Sequence, residues 1–126
     1  MKYLLDTHIL LWWLDDDRLL SKAAHKLIEN TSHRIVFSSL SLWEIAIKSN
    51  QGKLEANAEE VRDAALEEGF GLVVFDDQHA LEAARLPSIH ADPFDRGLVA
   101  TARVEGCPLL TADSLLARYG SSVKQV

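Results

Sequence analysis

The stretch "KYLLDTHILLWWL", residues 2–14, joins a short apolar run to an aspartate and a segment of helical length. The run "YLL" is continuous rather than alternating, which is typical of a strand buried on both faces of a parallel sheet. Similar runs are "RIVF" at 34–37, "LVVF" at 72–75 and "PLL" at 108–110, with "VKQV" at 123–126 as a weaker edge-strand candidate. Because helical segments separate these runs, we predict an α/β fold with a central, mostly parallel sheet of four to five strands.

Capping residues and glycines mark the predicted helices. Polar residues that can accept backbone N–H groups precede most of them, and glycine follows several. The predicted segments are 8–14, a helix capped by Ser21, one that follows Ser41 and stops near Gly52, Asn57 to Gly69, Asp77 to Pro87, Asp92 to Gly106, and Asp113 to Gly120.

The composition is that of one ordinary globular domain covering residues 1–126. Hydrophobic residues make up 48% and charged residues 25% of the chain, enough for a core without disulfides. Cys107 is the single cysteine, which excludes an intramolecular disulfide and a thiolate metal cluster. Asp6 and His8 interrupt the apolar start, and no apolar run approaches the roughly 20 residues that span a bilayer. We therefore expect neither a signal peptide nor a membrane segment, and the cytoplasm is the expected compartment.

The formal net charge of −6 bears on the partner. Proteins that bind nucleic acid by neutralising many phosphates with lysine and arginine side chains normally carry a net positive charge. Either nucleic acid is not the partner, or acidic residues are gathered at a site that holds cations. Composition leaves both possibilities open.

Acidic and hydroxyl side chains follow the predicted strands. Ligands of open α/β sheets bind beyond the carboxyl ends of the strands, and Asp6 directly follows the first run. The others are Glu44 after the second run, Asp76 and Asp77 after the third, and Thr111 and Asp113 after the fourth. Mg²⁺ and Mn²⁺ prefer carboxylate and water ligands, so this edge is compatible with a divalent-cation site.

Each of these acids also has a structural interpretation. Asp6 and Asp113 are good N-caps for the helices that follow, and a structural role is favoured for the pair after the third run. Glu44 could lie on a solvated stripe and pair with Lys48 at i, i+4, worth about 0.2–0.5 kcal/mol. Alternatively it faces a cleft, because its helix is apolar over most of its circumference.

The stretch "ADPFDRGLVATA", residues 91–102, contains two further aspartates. Asp92 followed by Pro93 fits an N-cap with proline at the first helical position. Asp95 then falls at the third helical position, where the acidic partner of a capping box stands. Both aspartates are explicable without chemistry, and the residues alone leave the substrate open.

Four motifs together resemble the PIN-domain family, in particular the toxin ribonucleases of VapBC-type toxin–antitoxin systems. They are "YLLDTHILLWWL", "SSLSLWEIAIKSNQGKL", "LPSIHADPFDRGLVATA" and "LLTAD", and they extend from Lys2 to about Tyr119. "LLDTH" alone is a weak signal, whereas "HADPFDR" with an upstream "WEIAIK" and a downstream "LLTAD" is specific. The resemblance implies a PIN-like three-layer α/β/α sandwich with an acidic pocket that binds Mg²⁺ or Mn²⁺.

By motif match, the family's acidic quartet is Asp6, Glu44, Asp95 and Asp113. All but Glu44 are expected to bind metal directly, and Glu44 is expected to bind through water or to position the nucleophile. Asp92 keeps its structural role. Substrate contacts are expected from neighbouring positions of the pattern and from nearby cations, namely Thr7, Ser41, Lys48, Arg96 and Thr111, with Lys53 as a further candidate.

The resemblance also implies a function. It predicts a metal-dependent endoribonuclease that hydrolyses RNA with metal-activated water and leaves 5′-phosphate and 3′-hydroxyl ends. It further implies a homodimer and a small VapB-type antitoxin that wraps the toxin and blocks its pocket. Since the antitoxin is the DNA-binding member, this chain is not expected to bind operator DNA without it. Trp12 and Trp13 remain open between core packing and a partner surface.

Other classes of protein make different predictions. A non-catalytic α/β binding or regulatory module stays open, and it predicts that Asp6→Asn is tolerated. A phosphoacceptor receiver domain is disfavoured, because such domains pair acids after the first strand and only Asp6 stands there. A phosphatase with a D-x-D loop is disfavoured likewise, because residue 8 is a histidine.

Overall fold

The computed structural model describes all residues from Met1 to Val126. The strands are β1 (Lys2–Leu5), β2 (Arg34–Ser38), β3 (Gly71–Val73), β4 (Leu109–Thr111) and β5 (Val123–Gln125). The helices are α1 (Thr7–Leu14), α2 (Lys22–Glu29), α3 (Ser39–Asn50), α4 (Ala58–Glu67), α5 (Asp77–Arg85) and α6 (Pro93–Glu105), with a 3₁₀ turn at Leu116–Tyr119. None of the helices has the length and apolar character needed to cross a membrane.

All five strands are parallel, and their spatial order is β3-β2-β1-β4-β5. The chain builds outward from β1 through β2 to β3 on one side, and from β4 to β5 on the other. The strand order therefore reverses between β1 and β4. A crevice forms at such a switch point, beyond the carboxyl ends of the strands. Asp6 directly follows β1 at this crevice, and Thr111 is the last residue of β4.

Alternate side chains of the central strands build two cores, one on each face of the sheet. Leu5 and Phe37 pack with α1, α2 and α4 on one face. Leu4 and Val36 pack with α6 on the other. All four are at most 2% exposed, and burial of such a side chain contributes about 1.5–3 kcal/mol. The predicted three-layer sandwich with a parallel sheet is confirmed.

The third strand departs from its prediction. β3 is three residues long and lies at the edge of the sheet, where it pairs with β2 alone. Leu72 is 40% exposed, so the run "LVVF" is not buried on both faces as predicted. An edge strand has fewer neighbours to cover it, and its burial depends on those neighbours rather than on its own apolar character. Phe75 has already left the strand and packs against the core beside α6.

One predicted helix start, one predicted cap and one predicted helix are wrong. The helix predicted to follow Ser41 begins at Ser39, and its cap is Ser38, whose hydroxyl accepts a backbone N–H. The cap of α5 is Asp76 rather than Asp77. The segment after Asp113 forms only the 3₁₀ turn, because its carboxylate accepts the N–H two residues on and closes a tight turn first. Four other predicted caps are confirmed, namely Asp6, Ser21, Asn57 and Asp92.

Gly97 allows α6 to lie close to α3. A Cβ atom at this position would overlap the side chain of Leu40 and come within 3.2 Å of the Phe75 ring. The first turn of α6 can therefore approach α3 closely, and this brings Asp95 into the same pocket as Glu44.

Candidate functional site

A pocket of about 360 Å³ lies at the crevice beyond β1 and β4. Its walls come from four separate parts of the chain: the β1–α1 junction, α3, the first turn of α6 and the loop after β4. The fold thus brings together residues that are far apart in sequence. The pocket is lined by all four predicted acids, with Lys48 and Thr111 beside them.

Asp6 both caps α1 and lines the pocket. Its Oδ1 accepts the backbone N–H of His8 at 2.8 Å, and its Oδ2 accepts the hydroxyl hydrogen of Thr111 at 2.5 Å. The residue is 5% exposed. Burial raises the pKa of Asp6, although the two hydrogen bonds oppose the rise. The capping role predicted for Asp6 and a place in the pocket are therefore compatible.

Glu44 is buried in the pocket wall, with 2% of the residue exposed. Its Oε1 accepts the Thr7 hydroxyl at 2.6 Å, and its Oε2 pairs with Lys48 Nζ at 2.5 Å. The Ser41 and Thr7 hydroxyl oxygens are 2.8 Å apart. Because Thr7 has one hydroxyl hydrogen and donates it to Glu44, Ser41 must donate to Thr7. Glu44 is therefore not solvated, although it makes the predicted i, i+4 pair with Lys48, and the cleft interpretation is confirmed.

Lys48 is the only lysine or arginine that lines this pocket. Partial burial lowers the pKa of Lys48, but the hydrogen bond and the charge of Glu44 outweigh that effect and raise it overall. Lys48 therefore stays charged and offsets one of the four carboxylates.

Asp92 and Asp95 have different contacts. The Asp92 carboxylate caps α6 by accepting the N–H groups of Phe94 and Asp95 at 2.8 and 3.1 Å. In a capping box the Asp95 side chain would accept the Asp92 N–H, but that N–H donates to His90 Nδ1 at 3.0 Å instead. The capping-box interpretation of Asp95 is therefore wrong, and its carboxylate lines the pocket.

The environment of Asp95 disfavours its charged form. Burial raises the pKa of Asp95 to about 7, and the negative charges of Asp6, Asp92 and Glu44 act in the same direction. Contact with His90 lowers this pKa in part. An acid of this kind is partly protonated at neutral pH, and a cation nearby would favour loss of the proton.

His90 was not among the predicted site residues, although it contacts two of them. Its Nε2 is 3.3 Å from Oδ2 of Asp95 and 3.3 Å from Oδ2 of Asp113. Asp113 is the most exposed of the four acids, with 41% of its side chain accessible. One sequence feature could have identified His90, namely its position in "HADPFDR", two residues before the cap of α6. From that position an imidazole can accept the backbone N–H of the cap.

The predicted contacts Thr7, Ser41 and Thr111 are buried hydroxyl residues. Their hydroxyl groups bond to the acids or to each other rather than facing solvent. Thr111 holds Asp6, and Thr7 holds Glu44 with Ser41 behind it. These hydroxyls therefore orient the carboxylates of the pocket.

Arg96 does not line the pocket, contrary to what its predicted role would require. Its guanidinium donates to the backbone carbonyl oxygens of Ala83, Leu86 and Pro87 at 2.9–3.2 Å. Arg96 thus ties α6 to the end of α5. We expect it to stabilise the fold rather than contact substrate.

Trp12 and Trp13 are both half-buried against the core beneath α1. Trp13 packs 6.4 Å from Phe70 between ring centroids, and its indole N–H donates to Glu68 at 2.8 Å. Trp12 also lines the acidic pocket, where its ring centroid is 5.8 Å from that of His8. Trp13 is therefore a packing residue between α1 and the end of α4, and Trp12 forms part of the pocket wall.

The donor set of the pocket fits a hard divalent cation. Four carboxylates line one cavity, and its single lysine is already paired with Glu44, so negative charge is in excess. The raised pKa values of Asp6 and Asp95 reflect their burial and that excess. Carboxylate oxygens are the ligands that Mg²⁺ and Mn²⁺ prefer.

Comparisons with known proteins agree with this architecture. Ribonuclease VapC22 from Mycobacterium tuberculosis is 32% identical over 124 aligned residues, which cover 90% of this chain and 88% of the relative. The structure of VapBC2 from Rickettsia felis bound to a promoter DNA fragment matches with a TM-score of 0.72 at 16% identity, covering 100% of this chain and 99% of that one. A toxin–antitoxin complex from Klebsiella pneumoniae matches with a TM-score of 0.69 at 18% identity, covering 98% and 96%. The sequence profile described as PIN domain matches residues 3–121. The chain is therefore a member of the PIN domain family.

Proposed function

We propose that this PIN-domain protein is a metal-dependent endoribonuclease and the toxin of a VapBC-type toxin–antitoxin pair. The observation that carries the proposal is the convergence of four acids in one pocket at the switch point of the sheet, namely Asp6, Glu44, Asp95 and Asp113. Membership of the PIN domain family and the identity to a protein named as a ribonuclease support the same conclusion. The reaction is hydrolysis of RNA phosphodiester bonds.

Mg²⁺ or Mn²⁺ is the proposed cofactor, with Asp6, Asp95 and Asp113 as its ligands. A bound ion of this kind activates water and stabilises the leaving oxygen of a phosphodiester. Glu44 is proposed to position the attacking water. Its carboxylate is held on one side by Thr7 and on the other by Lys48, which supports a fixed orientation.

The RNA strand is proposed to run from the acidic pocket toward Lys53. A second cavity, of about 270 Å³, shares His8, Glu44 and Lys48 with the pocket and is also lined by Lys53. Lys53 is exposed, so the phosphate next to the cleaved one can pair with it. The half-buried Trp12 offers a ring for stacking with an unpaired base, worth about 1–3 kcal/mol. Such local contacts, with a bound cation, offset the net negative charge of the chain.

A small VapB-type antitoxin is the proposed partner. The similar structures from Rickettsia felis and Klebsiella pneumoniae are a DNA-bound VapBC assembly and a toxin–antitoxin complex. The excess of carboxylates in this pocket would attract a basic segment of such a partner. We expect operator DNA to bind the pair and not this chain alone, which a gel-shift assay with and without the antitoxin would measure. A shift by this chain alone would contradict that division of roles.

A homodimer is the proposed state of the toxin. Trp43, Val74 and Leu81 are large apolar side chains that are 61%, 64% and 56% exposed. Aromatic side chains such as Trp43 are enriched at protein–protein interfaces, which supports this assembly. Light scattering should give a dimer mass for the wild type and a monomer mass for Trp43→Glu. A monomeric wild type would contradict the proposed assembly.

Cleavage of whole RNA by partner-free protein tests the proposed activity. Protein stripped of metal should cut RNA only after Mg²⁺ or Mn²⁺ is added, and Asp6→Asn should remove cleavage. Asp77→Asn is a matched control, because Asp77 is an exposed aspartate that also follows a strand but does not line the pocket. Thermal melts check the fold, and one cooperative transition is expected because both cores share one sheet and form a single domain.

The same experiment separates the alternatives. Equal cleavage by the wild type and Asp6→Asn in EDTA would contradict the metal-dependent mechanism. Absence of cleavage, with no metal-linked change in melting temperature, would instead support a non-catalytic binding module. Mapping the cut sites on whole RNA with both proteins would then identify the substrate.

A further inference from the structure

His90 is held by one contact of its ring and one contact of its backbone. Its Nδ1 accepts the Asp92 N–H at 3.0 Å, and its own backbone N–H donates to the Tyr119 hydroxyl at 3.0 Å. That hydroxyl in turn donates to the Pro87 carbonyl oxygen at 3.2 Å. The side chain itself is 18% exposed. The orientation of the ring is therefore set by the fold.

These contacts decide which nitrogen carries the proton. A nitrogen that accepts a backbone N–H cannot carry a hydrogen there, so Nδ1 presents its lone pair and Nε2 carries the hydrogen. Nε2 lies 3.3 Å from Oδ2 of Asp95 and 3.3 Å from Oδ2 of Asp113. The N–H of His90 thus forms a hydrogen bond with Asp113 and lies next to the carboxylate of Asp95.

This tautomer conflicts with a role as a metal ligand. The donor atoms of His90, Asp95 and Asp113 lie within 4.8 Å of one another, a spacing that a metal ion could bridge. A histidine binds metal through a nitrogen lone pair. To offer one at Nε2, His90 would have to carry its hydrogen at Nδ1, where it would face the Asp92 N–H. The loop therefore favours His90 as a hydrogen-bond donor.

We propose that His90 is a positioning residue that donates Nε2–H to Asp113 beside Asp95, and that a divalent cation held by these two acids would bind in competition with it. Through this contact His90 keeps Asp113 beside Asp95 when no cation is bound. A cation held by the two acids would displace the N–H. The inference rests on the proposed metal-dependent function, since it assigns a role at the same pocket.

Two variants separate the two ring nitrogens of His90. The amide oxygen of Asn lies near the position of Nδ1, so His90→Asn keeps an acceptor for the Asp92 N–H but does not reach the carboxylates. The longer side chain of Gln can place an N–H near the position of Nε2, so His90→Gln keeps the donor. Both variants are measured at one pH. The melting temperature reports their folding, and Mn²⁺ titration reports their metal binding, so the two effects are measured separately.

The measurement is Mn²⁺ binding to metal-stripped protein without RNA, by isothermal titration or by the electron paramagnetic resonance of free Mn²⁺. We expect His90→Asn to bind Mn²⁺ about tenfold more tightly than the wild type, because a hydrogen bond to a charged group no longer competes. His90→Gln should bind with close to wild-type affinity. In EDTA, His90→Asn should melt at a lower temperature than His90→Gln, and Mn²⁺ should remove the difference.

Weaker Mn²⁺ binding by His90→Asn would make His90 a ligand and overturn the proposal. Unchanged binding by His90→Asn would overturn it as well, because the contact would then have no influence on the cation. If His90→Asn fails to fold, His90→Leu, which keeps bulk without a donor, is compared with His90→Gln by the same criteria. If His90→Asn binds Mn²⁺ more weakly than the wild type or equally well, but the wild type cleaves RNA only with metal, the proposed function stands and only the role of His90 is overturned. No Mn²⁺ binding by any of these proteins would overturn both proposals.

Discussion

Two histidines of this protein make the same pair of contacts in different surroundings. His79, in α5, accepts the Asp76 N–H at Nδ1 and places Nε2 2.9 Å from a carboxylate oxygen of Glu105 on α6. His90 also accepts the N–H of a helix cap at Nδ1 and places Nε2 near carboxylates. In both cases the imidazole joins a helix start to an acid elsewhere in the fold.

The two regions differ in the acids around each ring. Glu105 is the single carboxylate at Nε2 of His79, and its side chain is 30% exposed. The carboxylates at His90 belong to a group of four in one pocket, and the pKa values of two members of that group are raised. A lone acid at a buried histidine serves the packing of α5 on α6. Several carboxylates close together repel one another unless a cation binds among them. This excess of negative charge identifies the candidate site.

The largest effect is expected from acids of the pocket. Asp95→Asn or Asp6→Asn should lower the rate of RNA cleavage by more than about 100-fold, since even residues that only support metal ligands cost about 10–100-fold. Glu105→Gln, which changes the acid at the other histidine, should leave the rate nearly unchanged. Initial rates at saturating Mn²⁺ would measure this. Loss of cleavage in Glu105→Gln at unchanged stability would remove the distinction between the two regions.

A change at His79 should affect stability and not metal binding. His79→Ala removes the partner of a buried N–H and of Glu105, so the free energy of unfolding should fall by about 1–3 kcal/mol. Urea denaturation measures the loss, and Mn²⁺ titration of the same variant should give the wild-type affinity. A changed Mn²⁺ affinity in His79→Ala would show that the α5–α6 contact is coupled to the pocket.

The two aspartates at the start of α6 should also differ, because Asp92 should affect stability and Asp95 should affect cleavage. Asp92→Ala removes the N-cap and should lower the free energy of unfolding by about 0.5–2 kcal/mol, with a smaller change for Asp92→Asn because asparagine also caps well. Cleavage should survive both changes at temperatures where the protein is folded. If Asp92→Asn reduces cleavage more than Asp95→Asn at unchanged stability, the roles of the two aspartates are reversed.

The last expected effect is a pH dependence of the metal-free protein. The pKa of Asp95 is raised from 3.8 to about 7 in the folded state. The folded state therefore binds this proton more tightly than the unfolded state, and the resulting stabilisation is lost as the pH rises through about 7. In EDTA, the melting temperature of the wild type should fall between about pH 5 and pH 8 relative to that of Asp95→Asn, and Mn²⁺ should counteract the fall. Parallel pH profiles for the two proteins would show that Asp95 does not titrate in this range.

Much of the fold could be predicted from local patterns. Four continuous apolar runs and the weaker candidate "VKQV" located the five strands, and the caps Ser21, Asn57 and Asp92 located three helix starts. These features depend on residues close in sequence, because capping and strand burial are read from neighbouring positions. The errors lie where packing overrides pattern: at the exposed edge strand β3 and after Asp113, where a side-chain hydrogen bond forms a turn instead of a helix.

The candidate site was predictable only in part. Local chemistry explained Asp6 and Asp95 equally well as caps, and the family resemblance was needed to group them with Glu44 and Asp113. The contacts of His90 and of Arg96 could not be predicted, because each depends on groups brought near by folding: two carboxylates for His90, and carbonyl oxygens at the end of α5 for Arg96.

The sequence by itself determined the α/β class, the order of strands and helices, the PIN-domain resemblance and the identity of the four acids. The class and the order of elements along the chain follow from periodicity and capping chemistry, whereas the four acids are what the resemblance of the motifs implies. Only the tertiary structure decided that the four acids line one pocket, that Asp95 is free of the capping box, and that the N–H of His90 contacts Asp113 beside Asp95. The physical reason is that burial and the proximity of charges arise from the packing of segments that are distant in sequence. Both quantities set the pKa values of the pocket acids and the excess of negative charge that a cation would offset.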